Sequence, residues 1–188
     1  MNTAGLVLAA GAGRRYGMPK ALVPYRNRLL VQHAAATLRR AGCTRTVVVL
    51  GARAEDVIRA APDLPEILVN PDWPTGMGSS LRAGLTALTG DDSLIAVVVL
   101  LVDMPGVTAG AVRRIAAHAA PDALVMGGYA GRRGHPVLLG REHWAGAADA
   151  ATGDRGARDY LRAHEVSVIE VGDVADDTDL DRPGDLDA

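Results

Sequence analysis

Leu8-Ala9-Ala10-Gly11-Ala12-Gly13-Arg14-Arg15-Tyr16-Gly17-Met18-Pro19-Lys20 joins an apolar run directly to a glycine-rich turn, and the turn ends in cations. Lys20 is the only lysine in the chain; the other 19 basic side chains are arginine. The one compact, flexible ammonium therefore sits beside a glycine loop, and at a phosphate lysine acts as a mobile point charge where arginine acts as a rigid fork. Small residues at 9–13 let backbone N–H groups approach phosphate oxygens closely, while Arg14, Arg15 and Lys20 add charge. The stretch reads as a nucleotide triphosphate site. Taken alone, it reads equally as a tight strand-to-helix turn with surface arginines.

Two better-known glycine loops do not fit. The dinucleotide fingerprint G-x-G-x-x-G, counted from Gly11, ends on Tyr16, and no acid to hold a ribose occurs before Glu55. A P-loop requires Gly-Lys-Ser/Thr, whereas Gly17 is followed by Met18-Pro19-Lys20.

The rest of the chain sets the context. At 188 residues, one domain spanning 1–188 is expected, with room for a substantial core. Hydrophobic content of 48% with 22% charge is ordinary for a soluble globular protein. Aromatics at 3%, with no phenylalanine, argue against a stacking surface for nucleic acid. The longest apolar run, Leu94 to Val102, is too short to span a bilayer, and the chain does not open on a charged-then-apolar leader. A cytoplasmic protein with neither nucleic-acid nor membrane partners is expected. The lone Cys43 excludes an internal disulfide and reads as a small core residue. Net charge is only −2 but lopsided: residues 1–54 carry nine basic side chains and no acid, and residues 170–188 carry eight acids against Arg182 alone. A cationic first segment suits an anionic ligand; the acidic tail suits a divalent cation or simple solubility.

Periodicity predicts strands at 4–9, 45–50, 66–69, 94–102, 123–126, 136–139 and 166–171. Helices are predicted at 29–40, 54–60, 78–88, 109–118, 142–150 and 155–164. Strands alternating with helices imply a three-layer α/β/α sandwich around a mostly parallel, mixed sheet. Asp103 falls where the longest apolar run ends, just before Pro105, and ligands of open α/β sheets gather at the carboxyl ends of strands. A carboxylate there suits magnesium, which binds through one or two carboxylates plus substrate phosphates. Thr108 is the more natural cap for the helix that follows. Gly76-Met77-Gly78-Ser79-Ser80 opens a helix whose free N–H groups and hydroxyls suit a base, a ribose or capping alone. Asp154 reads either as a residue facing a second substrate or as the cap of a helix starting near Arg155. His33, His118, His143 and His164 show no metal-ligand spacing.

The first loop closely resembles the signature loop of nucleotidyltransferases of the nucleotide-diphospho-sugar transferase fold, most of all the molybdenum cofactor cytidylyltransferase branch. The resemblance continues through Gly76-Met77-Gly78-Ser79-Ser80-Leu81, Leu101-Val102-Asp103-Met104-Pro105, Gly134-His135-Pro136, Gly153-Asp154-x-Gly156-Ala157 and Asp179-x-Asp181-x-Pro183-x-Asp185-Leu186. It implies that Leu8, Ala9, Ala10, Gly11, Ala12, Gly13 and Lys20 wrap the triphosphate. It further implies that Gly78, Ser79 and Ser80 lie against base and ribose, and that His135 faces the acceptor. Lys20, Arg14, Arg15 and Asp103 are the implied catalytic set, with Mg²⁺ on Asp103. Asp176, Asp177, Asp179 and Asp181 all qualify by position as a second ligand, and the sequence does not choose among them; Asp181 is paired with Asp103 as the working candidate. Ala10, where guanylyl-transferring relatives tend to carry glycine, implies CTP as the nucleotide. The implied acceptor is phosphate-bearing, molybdopterin by the closest analogy, with a molybdoenzyme or its insertion chaperone receiving the product. Sugar phosphates or phospholactate are alternative acceptors. Some relatives are oxidoreductases acting on a nicotine-derived pigment, which in this chain requires NAD(P)H bound in the CTP-like cleft. A cofactor-binding accessory protein without turnover is the remaining alternative.

Overall fold

The computed structural model describes residues 2–187; Met1 and Ala188, the outermost positions of the expected 1–188 domain, lie outside the described residues. In chain order the strands are β1 (Thr3–Ala9), β2 (Pro24–Tyr25), β3 (Arg28–Leu29), β4 (Arg45–Leu50), β5 (Glu66–Val69), β6 (Ala96–Leu101), β7 (Leu124–Tyr129), β8 (Arg132–Gly140) and β9 (Ser167–Glu170). The helices are α1 (Leu30–Ala41), α2 (Ala54–Ala60), α3 (Met77–Thr89), α4 (Ala109–Ala116), α5 (Trp144–Ala150) and α6 (Arg158–Arg162). Seven strands form one sheet in the order β5-β4-β1-β6-β8-β7-β9, and β2 and β3 form a separate small hairpin.

β1 lies between β4 and β6 and is parallel to both; β8 is antiparallel to β6 and β7, which makes the sheet mixed. Alternation along the central strands divides their side chains between two cores. Val7, Val48, Val98 and Leu100 pack with Leu30, Leu38, Val57, Val112 and Ile115 of α1, α2 and α4. Leu6, Leu8, Val47, Val49, Val97 and Val99 pack with Leu81, Leu85, Leu88, Trp144 and Leu161 of α3, α5 and α6 on the other face. Burial on both faces explains the unbroken apolar runs, and the expected α/β/α layering is observed.

Several boundaries moved, each for a local reason. Arg132–Gly140 is one long strand, where only 136–139 was expected, because Ala130 and Gly131 take positive φ and close a tight β7–β8 hairpin. The helix expected from Arg155 begins at Arg158, since Gly156 (φ 52°) interrupts it after a 3-10 turn at Gly153–Arg155. Asp154 therefore does not cap it; Ala157 holds that position. Thr108 does cap α4, its Oγ1 accepting from Ala111 N at 3.2 Å, and it also donates to the Val174 carbonyl at 2.8 Å. Cys43 is half-buried against the first core.

Candidate active site

Strand order reverses at β1: the chain goes from β1 to β4 on one side and later returns to β6 on the other. Such a switch point opens a crevice beyond the strand ends. The glycine loop leaves β1 here, and the turn after β6 sits beside it, since Leu8 pairs with Leu101 and Val102 N donates to Leu8 O at 3.2 Å. Asp103 is thus delivered next to the loop by strand register.

The loop is held open by its own geometry. Gly13 has φ +62°, and a Cβ there would lie 1.8 Å from Met18 O, so only glycine permits this path. Gly17 N donates to Gly13 O at 2.8 Å and closes the turn, after which a 3-10 turn at Lys20–Leu22 returns the chain to the core through Ala21 and Val23. Among the described residues, the N–H groups of Gly11, Ala12, Gly13 and Arg14 donate to no other group, leaving them available to phosphate oxygens.

Lys20 is the centre of the charge network. Its Nζ donates to Asp103 Oδ2 at 2.7 Å and to Asp181 Oδ1 at 3.0 Å, and Arg15 reaches Asp181 Oδ2 at 3.4 Å. Burial lowers the Lys20 pKa, but the hydrogen bonds and charges of Asp103 and Asp181 outweigh it, and the ammonium titrates above its ordinary range. The same contacts, the Lys20 hydrogen bond first, hold the Asp181 carboxyl below its usual range. Asp103 is only 18% exposed, and its Oδ1 is buried without a hydrogen-bond partner.

The C-terminal segment is tied on as a strap. Leu180 is buried and its N–H donates to the Asp103 carbonyl at 2.9 Å; Asp181 N and Arg182 N both donate to Asp185 Oδ2. These bonds fix Asp181 opposite Asp103. The other three acids considered for a metal go elsewhere: Asp176 accepts from Thr178, Asp177 pairs with Arg132, and Asp179 lines a cavity. Among the described residues no group of three His, Cys, Asp or Glu converges as a metal cage. The donor set still fits a hard divalent cation that takes two carboxylates and draws its remaining oxygens from water and phosphate. The unpartnered Oδ1 is what such an ion would engage.

Two cavities meet at Leu8, Met77 and Asp154, one bordering the glycine loop and the other the end of β6 at Leu101 and Met104. The smaller, of about 300 Å³, is lined by Ala10, Gly11, Ala12, Arg14, Trp73 and Ser80 among others. The larger, of about 560 Å³, has an apolar floor including Leu81, Val99, Leu101, Met126 and Val137. Arg133, Arg155, Arg158 and Arg162 also line it, together with His135. Ala9 points into the core, Gly78 packs against the backbone of Ala151 and Thr152, and Ser79 Oγ donates to the Asp72 and Gly76 carbonyls; none of these three lines the cavities. Ser80, Leu8, Ala10, Gly11, Ala12 and Arg14 do, whereas Gly13, Arg15, Lys20, Asp103 and Asp181 line neither.

Sequence reasoning passed over five contributors. Buried Asn70 donates to both Ser79 Oγ (2.9 Å) and Ser80 Oγ (3.0 Å) and sets the start of α3; its position just past β5, at a strand's carboxyl end, was the available signal. Trp73 walls the smaller cavity, and no spacing rule points to it. Arg158 and Arg162, four apart, share one face of α6, and Arg155 joins them at the larger cavity from the preceding 3-10 turn.

His135 lies within β8 rather than before a strand. Burial drives its imidazole down to about 4, against the opposing pull of Asp103 and Asp177, so it is neutral at pH 7. An unfolded histidine takes up its proton near pH 6.5, well before the folded one does. The contribution of this group is therefore complete above pH 6.5 and is lost as pH falls toward 4. Denaturant unfolding at a series of pH values should show stability falling across that window, and His135→Gln should flatten the fall. Parallel profiles for the two proteins would contradict the assignment.

A cation-bearing glycine loop facing a strand-end carboxylate across a sheet switch point defines the class, a nucleotidyltransferase. Residues 5–168 match the MobA-like NTP transferase domain, and the chain belongs to that family. It is 39% identical over 188 residues to the nicotine blue oxidoreductase of Paenarthrobacter nicotinovorans, a match covering 94% of this chain and 91% of that protein. The crystal structure of an Rv0371c homologue from Mycobacterium sp. strain JC1 superposes with TM-score 0.83 at 30% identity, covering 98% of this chain and 93% of that one. The manganese complex of Rv0371c from Mycobacterium tuberculosis H37Rv gives TM-score 0.79 at 29% identity, covering 96% and 94%. Among the described residues no helix is long and apolar enough to cross a membrane.

Proposed function

We propose that residues 1–188 work as one cytoplasmic nucleotidyltransferase unit that moves CMP from CTP to a phosphate-bearing acceptor, molybdopterin by the nearest analogy, with Mg²⁺. The observation that carries this reading is the Lys20 ammonium joined to both Asp103 and Asp181 at the mouth of the glycine loop. The triphosphate lies along Leu8, Ala9, Ala10, Gly11, Ala12 and Gly13, with Arg14, Arg15 and Lys20 offsetting its charge. Ser80, which lines the smaller cavity, belongs to the base and ribose side, and Gly78 and Ser79 shape the start of α3 behind it. Magnesium held by Asp103 and Asp181 supplies charge neutralisation at the phosphates when bound. The acceptor phosphate oxygen attacks the α-phosphorus, a new P–O bond forms, and the bond to the β-phosphate oxygen breaks to release pyrophosphate. An acceptor phosphate is already ionised at neutral pH, so the chain supplies positioning and fixed charge rather than a general base. The larger cavity supports the acceptor side of this reading, since an anionic ligand suits its arginines. A molybdoenzyme or its insertion chaperone would take the product.

A second reading rests on the extent of the 39% identity to an oxidoreductase. It requires NAD(P)H in the smaller cavity and a substrate in the larger one, and leaves the Lys20, Asp103 and Asp181 network without a task. One assay separates the two: pyrophosphate release with each NTP, with and without molybdopterin, alongside NAD(P)H consumption with nicotine blue supplied as the hydride acceptor. Acceptor-dependent pyrophosphate release from CTP is the expected result. NAD(P)H consumption without pyrophosphate would overturn the proposal in favour of the second reading.

A further inference from the structure

We infer that Lys20 is a resident counter-ion that occupies the carboxylate pair until a triphosphate draws it away, so that divalent cation and nucleotide bind as a coupled event. The inference rests on the nucleotidyl-transfer reading and adds an order of binding to it. Its basis is the way the charges are already spent. Lys20 bridges Asp103 and Asp181, and Arg15 reaches the second oxygen of Asp181. Two carboxylates against two cations leave the cluster with no net charge, and a neutral set attracts a dication weakly. Yet the cluster is not complete, because Asp103 Oδ1 is buried and accepts no hydrogen bond. A buried acceptor left unpaired costs free energy, and such groups in native structures call for an explanation.

Both observations fit a site that changes partners. Lys20 lies on a 3-10 turn at the end of the glycine loop, and its flexible side chain can swing from the carboxylates to phosphate oxygens without moving the sheet. Once its ammonium goes to the triphosphate, Asp103 and Asp181 regain their negative charge toward a cation. Among the described residues the protein then offers two carboxylates, which hold the ion weakly by themselves and more tightly once phosphate oxygens are added. Before nucleotide arrives, Lys20 also prevents the two carboxylates from repelling each other and so keeps the C-terminal strap seated.

Manganese is the probe, counted as free ion by its paramagnetic resonance signal, with the full chain and with or without CTP. CTP alone with Mn²⁺ serves as the background. The parent protein is expected to bind Mn²⁺ at least tenfold more tightly when CTP is present. Lys20→Met should bind Mn²⁺ at least tenfold more tightly than the parent without CTP, and adding Asp103→Asn should cancel that gain. Lys20→Arg, which keeps the charge, should remain as weak as the parent; Lys20→Gln serves in place of Lys20→Met if the latter does not fold. Equal Mn²⁺ affinity in the parent and in the neutral variant would overturn the inference, as would tight binding by the parent without CTP. If the parent instead bound no CTP in the presence of Mn²⁺, the nucleotidyl-transfer reading itself would fall.

Discussion

Asp103→Asn is expected to lower pyrophosphate release from CTP by on the order of a thousandfold or more, while the protein stays folded. The substitution preserves shape and removes one negative charge. In the parent, Oδ2 receives the Lys20 ammonium at 2.7 Å and Oδ1 is buried without a partner. An asparagine cannot offset a cation's charge at that point, and stabilisation of developing charge in such sites is worth several kcal/mol, with each 1.36 kcal/mol a factor of ten in rate. The cost to folding is small by comparison. One ion pair is lost, but Lys20 keeps Asp181, and the amide leaves one buried polar atom unpartnered just as the parent carboxylate did. Steady-state assays beside denaturant unfolding separate the two effects. Parental activity in this variant would remove Asp103 from the reaction.

Gly13→Ala has the next largest expected effect, and it acts on the loop rather than on charge. The added Cβ would meet Met18 O at 1.8 Å and Met18 C at 2.7 Å, both backbone atoms that cannot rotate away. The residue also sits at φ +62°, where a side chain costs roughly 1–2 kcal/mol. The loop has to open, which breaks the Gly17 N to Gly13 O bond and displaces Lys20 from Asp103. We expect about 1–3 kcal/mol of lost stability and on the order of a hundredfold lower kcat/KM. Gly11→Ala is the informative contrast. Its Cβ meets nothing within 4 Å and its φ is not positive, so stability should be unchanged while CTP affinity falls through crowding of the ligand. Equal behaviour of the two variants would contradict the distinct tasks given to these glycines.

Much of this arrangement was legible in the sequence because the central strands are buried on both faces. Leu94 to Val102 reads as an interior strand, found at Ala96–Leu101 and parallel to β1 though antiparallel to β8, and its end brings Asp103 to the crevice. The lone lysine pointed to its own importance. The partner of Asp103 among four C-terminal aspartates was not legible, because it depends on Leu180 donating to the Asp103 carbonyl and on Asp185 gathering two N–H groups. Hairpin β7–β8 was cut short in the reading because Gly127, Gly128, Gly131, Arg132 and Arg133 look like a polar turn. Only the tertiary pairing of Gly127 with Gly134 and Tyr129 with Arg132 makes them strand. Gly156 shortened α6 for the opposite reason: the local residues favour a helix, but the backbone at Gly156 takes φ 52° and ψ −129°, beside Met77, and leaves the helical path.

The account depends on a triphosphate lying against the first loop, and the amide spectrum of isotopically labelled protein tests this most directly. Titration with CTP and Mg²⁺ is expected to shift the backbone signals of residues 8–20 and of Asp103 and Asp181, and to leave the α1 and α4 face of the sheet unmoved. Unchanged signals in that loop with CTP and with every other NTP, magnesium present throughout, would contradict it.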